Sequence, residues 1–258
     1  MEAQHQSGES ITRINNDLSL IEKEGSLPFG TDAYMLYAYI KKASGAVGVE
    51  LGSGSGVVSL LAASSSKLSF VISVEIQEEM AKINERNIEY NSLSDKSRVI
   101  CKDIREIKEA DTGAVDVVFS NPPYMKMSSG KTSVQGARGI ARHELNGGIG
   151  DFCAAASRVL KYGGLFYAVY RPERASDIMC AMRENGIEPK EMLFVHPDSL
   201  SEPSIMLIKG KKGAASGMYI APPFYIYEDT EHIRETEDYK YVYEHGDFGE
   251  RYRKHQRR

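Results

Sequence analysis

The stretch that decides the fold is Ala46-Val47-Gly48-Val49-Glu50-Leu51-Gly52-Ser53-Gly54-Ser55-Gly56-Val57-Val58-Ser59-Leu60-Leu61. An apolar run of strand length meets three alternating glycines, and a second apolar run, read as a helix over 57–64, follows at once. Glycine tolerates positive φ and, having no Cβ, lets a ligand approach the main chain closely. A strand, glycine turn and helix in that order put the turn at the carboxyl end of a strand, where open α/β sheets bind ligands. Glu50 adds a carboxylate at the start of the turn, which would repel a pyrophosphate and attract an ammonium. Gly52, Gly54, Gly56 and Glu50 are therefore expected to line a ligand pocket. NAD-binding proteins show similar glycines and a similar acid, so a nucleotide-binding module or NAD enzyme stands as a reading from another class.

Working outward, Ser69 to Glu75 reads as a strand ending in an acid about 20 residues past the glycines, where a carboxylate can accept ribose hydroxyls. A helix is expected over 77–91, with Asn84 and Asn87 interrupting its apolar positions. A third strand over 98–102 is closed by Asp103, whose carboxylate can accept an adenine amino group. Ile76 and Ile104, directly after the two acids, are counted with the same pocket. Val115 to Ser120 is almost wholly apolar, as in a strand covered on both faces. Beyond it come a helix over 150–160, a strand over 165–170, a helix over 175–185 and strands over 191–196 and 204–209. The link between the last two has no room for a helix, so they should pair antiparallel. This alternation predicts an α/β fold: a doubly wound, seven-stranded, mostly parallel sheet with an antiparallel C-terminal hairpin.

Upstream, residues 11–29 read as a short strand or hairpin and a turn. Thr31-Asp32 can cap a helix over 33–42, ended by Ser44-Gly45. Residues 1–24 are taken as an N-terminal extension, 25–227 as the main domain and 228–258 as a charged tail. Acids crowd 228–247, then Arg251, Arg253, Lys254, Arg257 and Arg258 make a basic end. Charge blocks of this kind are expected to be solvated and poorly ordered.

Asn121-Pro122-Pro123-Tyr124, straight after the fourth strand, is the most informative tetrapeptide. Two prolines stop the ladder and stiffen the turn. So held, the Asn121 side-chain oxygen and the Pro122 carbonyl can each accept one hydrogen of a planar NH2 group, while Tyr124 offers a flat face for stacking. A conjugated amino group is a poor nucleophile. Accepting both its hydrogens biases the nitrogen toward a tetrahedral shape and aims its lone pair, which is positioning plus stabilisation of developing charge.

The chain has 258 residues, 41% hydrophobic, with a formal net charge of -4. That suits one ordinary α/β domain with short appendages and excludes a nucleic-acid surface carried by overall charge. A local patch remains: Lys126, Lys131, Arg138 and Arg142 lie with His143 and Glu144 in a polar loop over 125–147, and Arg171 follows the fifth strand. Such groups could clamp phosphates around a flipped base. Lys209, Lys211 and Lys212 form a second cluster. The three cysteines, Cys101, Cys153 and Cys180, show no metal spacing and are expected to be buried reduced thiols. No apolar run reaches the length of a membrane span. A cytoplasmic location without metal is expected, and oligomeric state is not legible.

Together these residues resemble the class I S-adenosylmethionine-dependent methyltransferases. Glu50-Leu51-Gly52-Ser53-Gly54-Ser55-Gly56 is similar to their first motif, Glu75 and Asp103 to their ribose and adenine ligands, and Asn121-Pro122-Pro123-Tyr124 to their amino-methylating motif. Phe29-Gly30-Thr31-Asp32, the stretch from Ala141 to Phe152, Tyr170-Arg171-Pro172-Glu173-Arg174 and Ala221-Pro222-Pro223 look more closely like the bacterial tRNA1(Val) adenine-N6 methyltransferases. The resemblance covers most of residues 25–225. It implies S-adenosylmethionine as cofactor, a tRNA adenine beside the anticodon as substrate, and Thr31 and Asp32 closing over the cofactor. Enzymes methylating glutamine of release factors, or adenine of rRNA or DNA, share the tetrapeptide. The glutamine enzymes usually bring a sizeable helical N-terminal domain, for which the residues before 25 leave no room.

Overall fold

The computed structural model describes residues 8–15, 17–23, 30–122 and 148–253. Its first elements are β1 (Glu9–Arg13) and β2 (Ser19–Lys23), an antiparallel hairpin separate from the main sheet. Then come α1 (Thr31–Tyr39), β3 (Val47–Leu51), α2 (Val57–Ser64), β4 (Phe70–Glu75), α3 (Glu78–Tyr90), β5 (Ser97–Cys101), the single turn α4 (Glu109–Thr112) and β6 (Val115–Ser120). The second half holds α5 (Ile149–Val159), β7 (Leu160–Tyr170), α6 (Ala175–Glu184), β8 (Ile187–His196), β9 (Ile205–Lys212), β10 (Tyr219–Ile220), β11 (Phe224–Tyr225) and α7 (Glu237–His245).

The long strands run β5-β4-β3-β6-β7-β9-β8 across the sheet. All are parallel except β9, which lies antiparallel between β7 and β8. Seven long strands and an antiparallel β8–β9 hairpin were expected, and two short strands, β10 and β11, add parallel pairings on the outer edge of β8. Apolar side chains fill both faces. One layer joins α1, α2 and part of α3 to Phe119 and Tyr167; the other joins α5 and α6 to Phe166 and Met206. That double coverage is why β3, β4 and β6 read as continuous apolar runs.

Several expectations are corrected. Thr31 and Asp32 do not cap α1: Gly30 is its N-cap, without a side-chain bond, and both residues lie in the first turn. The helix ends at Tyr39, where Ile40 turns extended. There the buried Lys67 ammonium donates to the carbonyls of Tyr37 (2.9 Å), Ala38 (3.2 Å) and Ile40 (2.6 Å). These are orphan acceptors of a helix C-terminus, which a cation satisfies. Burial pulls that ammonium down to about 8. Of the cysteines only Cys153 is buried, its thiol pushed up to about 12 by desolvation, whereas Cys101 and Cys180 are exposed.

The tail is ordered over 228–253. Thr236 caps α7, accepting from the Tyr239 amide at 3.2 Å. Tyr239, Val242, Phe248 and Tyr252 join the layer that contains α1. The acids flank those apolar positions, so charge density concealed an amphipathic helix.

Candidate functional site

Parallel strands carry their following turns to one edge of the sheet. Gly52 follows β3, Ile76 follows β4, Asp103 lies just past β5, Asn121 follows β6 and Arg171 follows β7. Sheet order therefore makes β3 and β6 neighbours, with Glu50 opposite Phe119. Beyond that pair the Ser120 hydroxyl donates to the Leu51 carbonyl at 2.8 Å. Asn121 and Gly52 are thus the residues that directly follow this paired stretch of β6 and β3.

The glycine turn is held from below. Gly52 and Ser53 donate to the Val74 carbonyl at 2.9 and 3.1 Å. Gly52, Gly54 and Gly56 all take positive φ. A Cβ at Gly56 would lie 2.1 Å from Asn84 Oδ1, so only glycine fits there. At Gly54 a Cβ would meet nothing within 4 Å among the described residues, so the turn is open on that side to a ligand.

The acids differ in state. Glu75, 4% exposed, accepts from the Gly54 amide at 2.8 Å through Oε2 and from the Gln77 amide at 2.8 Å through Oε1. A carboxylate oxygen has two acceptor sites, so each keeps one for a hydroxyl. Glu50, 2% exposed, accepts from the Ser59 amide at 3.0 Å and from the Ser59 hydroxyl. Ser59 is in the first turn of α2, so Glu50 caps that helix from the neighbouring strand. Burial, reinforced by Glu75, pushes its carboxyl up to about 8 against the two Ser59 bonds. Asp103 is engaged by Arg105, which donates through Nε at 2.9 and 3.0 Å and through its amide at 2.8 Å. That guanidinium holds the Asp103 carboxyl below its usual range, an ionised acceptor.

Other expected residues have definite places. Ile104 is buried, Ile76 and Asn121 half-buried and Pro122 buried. Thr31 and Asp32 sit at the N-terminus of α1, which leads to the amino end of β3; the first turn is thus on the ligand edge. Asp32 Oδ1 folds back over Gly30. Pro123, Tyr124, Lys126, Lys131, Arg138, Arg142, His143 and Glu144 lie outside the described residues. The cluster Lys209, Lys211 and Lys212 lies toward the opposite end of β9, since Leu165 pairs Lys211 while Tyr170 pairs Met206. There Lys209 ion-pairs with Glu191 and Lys212 donates to the Ser157 and Leu160 carbonyls at 2.6 and 2.7 Å. It is structural and far from the ligand edge.

Sequence reasoning missed the residues that hold the turn. Asn84 donates to the Ser53 hydroxyl at 3.1 Å and Asn87 to the Ser55 carbonyl at 3.0 Å. Phe152 of α5 lies 3.2 Å from where a Cβ of Gly52 would be. Amides at the buried positions of α3 were the available signal, because a buried amide requires polar partners.

Comparison with known proteins agrees with this arrangement. A tRNA1(Val) (adenine(37)-N6)-methyltransferase of Bacteroides fragilis is 28% identical over 171 residues, 66% of this chain and 71% of that protein. A protein described as a predicted O-methyltransferase of Agrobacterium tumefaciens superposes with a TM-score of 0.67 at 20% identity, covering 84% of this chain and 96% of its own. TYW2 of M. jannaschii, solved in complex with AdoMet, superposes with a TM-score of 0.54 at 14% identity, covering 80% and 86%. At these identities the superpositions speak for the fold alone. No described helix is long and apolar enough to cross a membrane. The model of one family, the methyltransferase small domain, matches residues 26–179, more than half of the chain and all of the strands from β3 to β7, and the chain belongs to that family of methyltransferases.

Proposed function

We propose that this methyltransferase uses S-adenosylmethionine to methylate the exocyclic N6 of an adenine in tRNA, the adenine at position 37 of tRNA1(Val). The observation that carries this reading is the adjacency of β3 and β6, which sets Asn121 beside the glycine turn. When bound, S-adenosylmethionine supplies an electrophilic methyl group on a sulfonium. Glu75 has acceptor sites left for its ribose hydroxyls, Asp103 an ionised carboxylate for its adenine amino group, and the open side of Gly54 admits its methionine moiety. The Asn121 side-chain oxygen and the Pro122 carbonyl accept the two hydrogens of the substrate NH2. So held, the nitrogen would direct its lone pair at the methyl group that the cofactor supplies, and its surplus proton would pass to water after transfer. Tyr124 stacks on the base, while Arg171, Lys126, Lys131, Arg138 and Arg142 hold phosphates around it. The tRNA assignment is supported by the Bacteroides fragilis relative's name.

The test is methyl transfer from labelled S-adenosylmethionine to tRNA, rRNA and release factor, with Asn121→Ala alongside the native chain. Label is expected in tRNA as N6-methyladenine, lost in the variant by two orders of magnitude or more, the scale of a single stabilising donor or acceptor (about 10²–10³). Cofactor affinity should change little. Label in release factor alone would overturn the RNA reading, and equal loss of turnover and cofactor affinity would make Asn121 a structural residue.

A further inference from the structure

The segment from Thr236 to Arg253 belongs to no part of the site described above, yet it is built against one element of it. It follows α1 residue by residue. Tyr239 packs its ring against Tyr243, with centroids 4.8 Å apart and planes tilted by 55°. Tyr243 stacks on Tyr34 with ring centroids 4.2 Å apart and planes 7° from parallel, and its carbonyl accepts from the Tyr34 hydroxyl at 2.8 Å. Gly246 lies against Tyr37, where a Cβ would come within 2.4 Å of the phenol oxygen. Phe248 meets the Tyr39 ring edge-on at 6.1 Å and also packs on Phe224. α7 therefore runs alongside α1 in the same direction, and its amino end stands at the ligand edge.

Two features give this pairing a consequence for the site. First, the leading turn of α1 has no side-chain cap of its own, and an uncapped first turn frays. Secondly, α7 has nine residues, too few to be stable alone in water, so packing on α1 orders it. The lower half of the contact, through Phe248 and Tyr252, is anchored in the main apolar layer. The upper half, Tyr239 and Tyr243, bears on the turn that carries Thr31 and Asp32.

We propose that the C-terminal helix is a positioning clasp for the cofactor side of the enzyme, with Tyr239 and Tyr243 holding the first turn of α1 so that Thr31 and Asp32 face the bound nucleoside. This rests on the reading of Thr31 and Asp32 as cofactor residues. Tyr239 and Tyr243 touch no reacting atom; they act through α1. The clasp lies outside the stretch matched by the family, residues 26–179.

The test uses the full chain and S-adenosylmethionine in calorimetric titration, with steady-state kinetics and thermal unfolding. Tyr34→Phe removes the hydroxyl that donates to the Tyr243 carbonyl and leaves the ring. It should weaken cofactor affinity and raise the cofactor KM by roughly three- to tenfold, the worth of one hydrogen bond, with kcat at saturation and the unfolding midpoint unchanged. Tyr243→Leu, which removes the ring stacked on Tyr34, should act in the same direction. Asp32→Ala tests the underlying reading: unchanged affinity in that variant overturns the cofactor role of the turn and the clasp with it. Weakened binding in Asp32→Ala with native affinity in both Tyr34→Phe and Tyr243→Leu overturns the clasp alone. A lowered midpoint with native affinity would make the contact structural only, and also overturns it.

Discussion

Glu50, expected from the sequence in the ligand pocket, has a definite part in the folding of α2. Its carboxylate lies in the interior with Ser59 as donor partner, and desolvation raises its pKa from the ordinary 4.5 to about 8. A group that binds its proton more tightly in the folded chain contributes stability below its unfolded pKa, and that contribution is lost as pH rises through the folded value. Between about pH 4.5 and 8 the native chain should thus lose stability relative to Glu50→Gln, which stays neutral and keeps an acceptor for the Ser59 amide. Urea midpoints of both chains across that range measure it. Parallel curves would mean that Glu50 is ionised throughout. The acid at the turn was legible from spacing; its state was not, because a pKa depends on the two layers that bury it. Asp103 differs, since the Arg105 that holds its carboxyl ionised is only two residues away in the chain.

At the scale of elements, α3 does more than cover the sheet. Its asparagines act as the missing partner of the β2 edge. Asn91 exchanges hydrogen bonds with Ser19, at 2.8 and 3.0 Å, and Asn87 with Ile21, at 3.1 and 2.7 Å. Residues 87 and 91 are four apart on a helix while 19 and 21 are two apart on a strand, and the rises match, ~6 Å against ~6.7 Å. The same Asn87 reaches the Ser55 carbonyl of the glycine turn, so hairpin and turn share one side chain. Asn87→Ala should destabilise the chain by about 2–4 kcal/mol, the loss of several buried hydrogen bonds with partners left unsatisfied. The Ile21 amide should lose protection in hydrogen exchange before the central strands do. Retained protection there would show that the hairpin is held by other contacts. A short strand or hairpin was expected from the sequence, but its seat was not: the asparagines were visible only as interruptions in an apolar pattern.

For the whole molecule, the question is whether the acidic and basic tail is an appendage or part of the core. Phe248 and Tyr252 pack on Phe224, whose strand is paired to β8, and Phe248 also reaches Tyr39 of α1. The tail thus bridges the outer edge of the sheet and the first helix of the domain. Phe248→Ala should cost about 3–5 kcal/mol, as for other large-to-small core changes, and thermal unfolding should stay a single transition at a lower midpoint. A separate early transition, or an unmoved midpoint, would show that the tail folds independently of the domain.

What the sequence determined by itself is whatever local pattern controls: the strand–turn–helix alternation, the three glycines with positive φ and the antiparallel return of β9. Each follows from backbone sterics and hydrophobic period over a few residues. What only tertiary structure decided depends on residues far apart in the chain. The ionisation of Glu50, the Lys67 ammonium closing α1 across 27 residues or more, the amide ladder from α3 to β2 and the docking of α7 on α1 all arise when distant side chains share a low-dielectric interior. A charged tail reads as solvated because charge counts are additive along the chain, whereas burial of Tyr239, Val242, Phe248 and Tyr252 depends on the surface that α1 and β11 present to them.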